Sequence, residues 1–63
     1  MNKKLQLSVA EKLENFADTF AKENKFMAAI DYYQESQKWY KKLKNSRKIA
    51  EIALKIANIL IEK

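Results

Sequence analysis

Apolar positions recur every three or four residues along most of the chain, the period of amphipathic helices rather than the alternation of half-buried strands. Leu13, Phe16, Ala17 and Phe20 form the first such stripe, and Ser8 followed by Glu11 has the spacing of a capping box ahead of it. This predicts a first helix over about residues 9–23, after a basic, flexible lead over residues 1–7. Asn24 predicts the turn, because asparagine tolerates the left-handed conformation that often ends a helix. A second helix is expected over about 26–43, with Phe26, Ala29, Ile30, Tyr33, Tyr40 and Leu43 on its inner side and Ser36 and Gln37 in the same stripe. Asn45 and Ser46 are good N-cap residues, so a third helix is expected over about 47–62, turned back on the second by a short connection.

The third helix carries an unusually wide apolar arc. Ile49, Ile52, Ala53, Ile56, Ile59 and Leu60 share one side, Ala50, Leu54, Ala57 and Ile61 extend it, and Lys48, Glu51, Lys55, Asn58 and Glu62 remain as the polar side. A surface helix needs an apolar stripe of a little over ~100° to cover its own core. The excess is read in one of two ways: a small bundle simply wraps more of this helix, or the excess face meets another chain, self-association being the simplest case.

Composition fixes the class. The chain has no glycine and no proline and is filled with strong helix formers, which predicts an all-α, three-helix antiparallel bundle in one domain. At 63 residues, with no cysteine and no histidine, it has neither a disulfide nor an ordinary zinc site to hold it. Close packing, self-association or a partner must supply the stability. No cofactor and no metal is expected.

An internal echo refines the architecture. Leu13, Phe16, Ala17 and Phe20 recur 40 positions later as Ala53, Ile56, Ala57 and Leu60. Together with Phe26, Ala29, Tyr33 and Ser36 on the second helix, this resembles the tetratricopeptide repeat over Ala10 to Leu43. In that family small residues let two helix backbones approach while aromatic ones fill the space around them. Leu13 stands where the family often has tryptophan, Asn24 where it has glycine, and no proline ends the second helix. The second helix can therefore continue through Trp39 and Tyr40, lengthening the repeat beyond the usual ~34 residues. A hairpin plus one helix is also similar to microtubule-interacting-and-trafficking domains, which bind short helical tails; Phe26, Ala29, Ile30 and Tyr33 suit that plan equally.

The tetratricopeptide resemblance implies a ligand groove lined by Glu11, Glu14 and Asp18 of the first helix and by Glu51, Leu54, Asn58 and Ile61 of the third. Such a groove suits a basic or amphipathic peptide, because Glu14 and Asp18 repel a carboxylate. The bland alternative is that these acids are a solvated helix face. A second candidate comes from charge. The chain carries +5, and Lys38, Lys41, Lys42, Lys44, Arg47 and Lys48 fall in one acid-free stretch beside Trp39 and Tyr40. That stretch suits phosphate contacts with nucleic acid or an acidic protein surface, although lysines also favour a helix C-terminus for purely local reasons.

Enzymatic chemistry is not expected, because the chain lacks histidine, cysteine and a glycine-rich anion loop, and three short helices leave little room for a water-excluding site. No apolar run reaches the ~20 residues that span a bilayer, so a cytoplasmic protein without membrane insertion is expected. The functional expectation is a small adaptor or inhibitor that binds a protein or peptide, by self-association in the simplest version. The alternatives are a basic nucleic-acid-binding protein and a unit excised or engineered from a longer repeat array, since about three repeats are usually needed for stability.

Overall fold

A computed structural model describes residues 2–62. Three helices account for nearly all of it: α1 (Lys3–Lys22), α2 (Phe26–Lys42) and α3 (Ser46–Glu62). Among the described residues there is no strand, and the architecture is an all-α three-helix bundle. α2 is the central element, packing extensively on α1 and over a smaller area on α3. The result is an elongated body of about 37 × 19 × 12 Å.

The other five helix bounds fall within one residue of the sequence pattern, whereas α1 begins at Lys3 rather than near Val9. Asn2 is the N-cap, its Oδ1 accepting from the Leu5 amide at 2.8 Å. Ser8 lies on the exposed side inside the helix. A capping box acts only where the backbone before it has left helical geometry, and nothing between Lys3 and Leu7 interrupts the helix. Residues 3–7 are therefore helical, not a flexible lead.

Both turns close in the same way. Lys25 N–H donates to Phe20 C=O at 2.8 Å and Asn24 N–H to Ala21 C=O at 3.1 Å; Asn45 N–H donates to Tyr40 C=O at 3.0 Å and Lys44 N–H to Lys41 C=O at 3.0 Å. These are two Schellman closures, with the left-handed position filled by Asn24 (φ 64°) and by Lys44 (φ 57°). Asparagine there matches the expectation. Lysine pays a Cβ penalty in that region, and its presence is not legible from local sequence. After the second turn Asn45 Oδ1 accepts from Lys48 N–H at 3.2 Å, which caps α3.

The core is narrow and built on small side chains. Ala10 and Ala17 of α1, Ala29, Tyr33, Ser36 and Tyr40 of α2, and Ile52 and Ile59 of α3 are buried. The alanines let α1 and α2 approach closely, and Ser36 Oγ uses that approach to donate to Ala10 C=O at 2.7 Å. This bond fixes the register of the hairpin: Ala10 and Ser36 lie level. Gln37 Nε2 donating to Ile49 C=O at 3.1 Å fixes the level of α3 in the same manner. Phe16 does not fill the core. It is 56% exposed and sits on the outer edge with Tyr32, ring centroids 6.0 Å apart.

Candidate interaction faces

Two sides of α3 are candidate faces, and helical geometry separates them. Lys48 and Lys55, seven residues apart, share the side facing α1; Leu54 lies one residue, or about 100°, around from Lys55. On α1, Glu14 falls inside the buried stripe of Ala10 and Ala17 and is only 7% exposed. A carboxylate so placed must be paired.

Its partners come from α3. Lys55 Nζ lies 2.9 Å from Glu14 Oε2 and 3.1 Å from Asp18 Oδ1, and Lys48 Nζ lies 3.0 Å from Glu14 Oε1 and 3.3 Å from Glu51 Oε1. Two tyrosines of α2 complete the seam. Tyr33 Oη donates to Asp18, Tyr40 Oη donates to Glu14 at 3.4 Å, and the ammonium groups of Lys55 and Lys48 lie over the Tyr33 and Tyr40 rings at 5.8 and 5.6 Å. Among the described residues no buried side-chain polar atom is left without a partner.

The seam perturbs its own titrations. Burial pushes the Glu14 carboxyl up, but Lys55 and Lys48 outweigh it and hold the group below its ordinary value of 4.5. Burial likewise pushes Lys48 and Lys55 down, and their carboxylate partners outweigh it, so both lie above the ordinary lysine value. Burial, joined by Asp18 for Tyr33 and by Glu14 for Tyr40, pushes both phenols up. These are structural ion pairs, and none is poised to exchange a proton near neutrality.

Beside the seam lies an open depression of about 550 Å³, lined by Leu7, Glu11, Asn15, Tyr40, Asn45 and Lys48 together with the edges of Glu14 and Asp18. Of the three acids expected to form a groove wall, only Glu11 is exposed without an ion-pair partner among the described residues. Glu14 and Asp18 are engaged internally. Glu51 is exposed and paired with Arg47 at 3.5 Å as well as with Lys48. The structure brings Glu11, Glu14 and Asp18 together, while Leu54 and Ile61 lie on the side of α3 turned away from Lys48 and Lys55, and Asn58 lies between.

No family model, curated protein or solved structure matches the chain. The comparison that remains is internal. Ala10, Glu14, Ala17 and Ala21 of α1 correspond, 40 positions on, to Ala50, Leu54, Ala57 and Ile61 of α3. In α1 the first three of these positions are sealed against the rest of the bundle. In α3 Leu54 is 66% and Ile61 80% exposed, Leu60 beside them 63%, and Ala50 is open as well. α3 meets α2 through another side, carried by Ile52 and Ile59, whose counterparts Lys12 and Thr19 on α1 face outward.

The basic stretch is divided by the fold. Lys38 pairs with Glu35 at 3.0 Å, Arg47 with Glu51, and Lys48 enters the seam. Lys41, Lys42 and Lys44 are exposed and have no carboxylate partner among the described residues. Trp39 packs against the core with Lys42 Nζ 4.5 Å over its ring. Among the described residues no group of three potential metal ligands converges, and no helix is long and apolar enough to cross a membrane.

The Lys48 and Lys55 contacts were not anticipated from sequence. A signal was present: a glutamate inside an alanine stripe requires cations, and α3 offers two lysines one heptad apart.

Proposed function

We propose that this protein is a non-enzymatic interaction module whose binding face is the uncovered side of α3, and that its partner is an amphipathic helix laid along Ala50, Leu54, Ala57 and Ile61. The observation that carries the reading is the exposure of Leu54, Leu60 and Ile61 on a helix whose other side already covers its own core. Alanines at two of the four positions allow close helix approach, and leucine and isoleucine supply the anchors, the pattern of helix recognition in a groove or on a face.

The internal correspondence describes the partner. α1 meets its neighbour through the equivalent positions, and that neighbour, α2, presents Ala29, Tyr33, Ser36 and Tyr40. The helix that suits α3 is thus of α2 type, with small and aromatic residues alternating on one side. The tetratricopeptide resemblance supports this, since a repeat's first helix is covered by its second.

A synthetic peptide of residues 26–43 is the direct probe. Calorimetric titration is expected to show binding to the intact protein, lost in a Leu54→Glu, Ile61→Glu double variant that keeps wild-type helicity. Sedimentation of the protein alone reports whether a second copy fills the same face. No binding of the peptide together with a monomer at every concentration overturns the reading.

A further inference from the structure

The net charge of the molecule is confined to one end. The segments 2–11 and 35–51 hold eight basic and three acidic residues, and the remainder of the chain holds five of each. The fold brings those two segments together: with Ala10 level with Ser36, Lys3 lies seven residues back along α1 and Leu43 seven residues forward along α2, each about 10 Å from that level. Lys3 and Lys4 therefore stand at the same end of the bundle as Lys41, Lys42 and Lys44. All five lysines are exposed and none has a carboxylate partner among the described residues. Of the three acids in these segments, Glu35 and Glu51 are already paired with Lys38 and with Arg47 and Lys48. Glu11, one residue beyond Ala10 and away from Lys3 and Lys4, is exposed and is the one of the three without an ion-pair partner among the described residues.

We infer that this end of the bundle docks on an anionic lipid surface, with the five lysines over the headgroups and Leu5 entering the headgroup layer. Three observations favour a lipid surface over a nucleic acid. The cations without a carboxylate partner are all lysines, point charges without the planar fork that reads phosphate and base edges bidentately, and Arg47 is held by Glu51. They are spread over the start of α1, the end of α2 and the turn to α3, an end-on cluster rather than a track for a backbone. Of the two aromatic rings at this end, Tyr40 is buried and Trp39 packs against the core with Lys42 over it, so neither offers an open platform for a base, whereas Leu5 is 54% exposed beside Lys3 and Lys4. Basic clusters of about four to eight residues bind anionic leaflets by such diffuse attraction. The docking end is separate from the bare side of α3, which stays open to a partner helix.

Co-sedimentation with vesicles tests the inference. The protein is expected to pellet with phosphatidylcholine vesicles containing phosphatidylserine, not with phosphatidylcholine alone, and to be released by high salt. Each lysine near the surface contributes about fivefold to partition, so Lys41→Gln with Lys42→Gln, and separately Lys3→Gln with Lys4→Gln, should each weaken binding more than tenfold at unchanged helicity. The Leu54→Glu, Ile61→Glu variant should bind vesicles as well as the wild type does, which separates this inference from the helix-binding reading. Equal binding to neutral vesicles, unweakened binding by both lysine variants, or tighter binding to a single-stranded or duplex nucleic acid at matched salt would overturn it.

Discussion

α1 and α3 carry equivalent positions 40 residues apart, and the fold treats them in opposite ways. Ala10, Glu14 and Ala17 are sealed within the bundle, while Ala50 and Leu54 lie open. The identities at the second position show the difference most clearly. A glutamate occupies the covered side, where two lysines from α3 neutralise it, and a leucine occupies the open side, where it is 66% exposed. Burial alone does not decide which residue is apolar; pairing does on one helix, and an absent neighbour does on the other.

Substitution at the paired alanines should break this symmetry most strongly. Ala10→Leu forces a larger side chain into the contact where Ser36 reaches the α1 backbone, and we expect a loss of about 2–3 kcal/mol. Ala50→Leu, its counterpart, should stay within ~0.5 kcal/mol. Thermal unfolding reads the pair, since ~1 kcal/mol moves the midpoint of a domain this small by roughly 4–8 °C. Equal effects would mean that the two sides are equally covered in solution.

Glu14→Gln comes next, at a cost of about 1–3 kcal/mol, because it leaves Lys48 and Lys55 without their shared carboxylate while both can still reach water. Its sign with pH is specific. Glu14 titrates below 4.5 in the folded protein, so its contribution is present above that value and is lost as pH falls through the lowered one. The variant should therefore have a shallower acid limb in a stability profile. Lys48 and Lys55 titrate above 10.5, and the tyrosines above 10.0, so their contributions are present below those values and are lost as pH rises through the raised ones.

Ser36→Ala removes the hydroxyl that sets the α1–α2 register and should cost about 1 kcal/mol by denaturant titration. The two turns supply the smallest contrast. Lys44→Gly should raise stability by about 0.5–1 kcal/mol, and Asn24→Gly by less, because asparagine already tolerates positive φ. A loss on Lys44→Gly would show that the lysine side chain itself holds the second turn.

Much of this fold was legible in the sequence because it rests on period and composition. The absence of glycine and proline with a helical apolar period gives three helices, and Asn24 and Asn45 mark the two turns. The start of α1 was hidden by a genuine capping spacing, Ser8 with Glu11, that lies inside a helix already begun at Asn2. The candidate faces were legible only in part. The excess width of α3 pointed to an open side, and Leu54 and Ile61 lie on it, but their assignment to one groove with Glu11, Glu14 and Asp18 required knowing which way α3 is rotated. That rotation places Ile52 and Ile59 against the core and Lys48 and Lys55 against the α1 acids, a long-range arrangement that no local pattern states.

The central claim is that the open side of α3 is a binding face and the charged seam is structural. Amide chemical shifts of the intact protein, followed during addition of the 26–43 peptide, test it most directly. Shifts are expected to concentrate at Ala50, Leu54, Ala57 and Ile61, with Glu11, Glu14 and Asp18 unmoved; shifts concentrated along Leu7, Glu11 and Asn15 with α3 silent would contradict it.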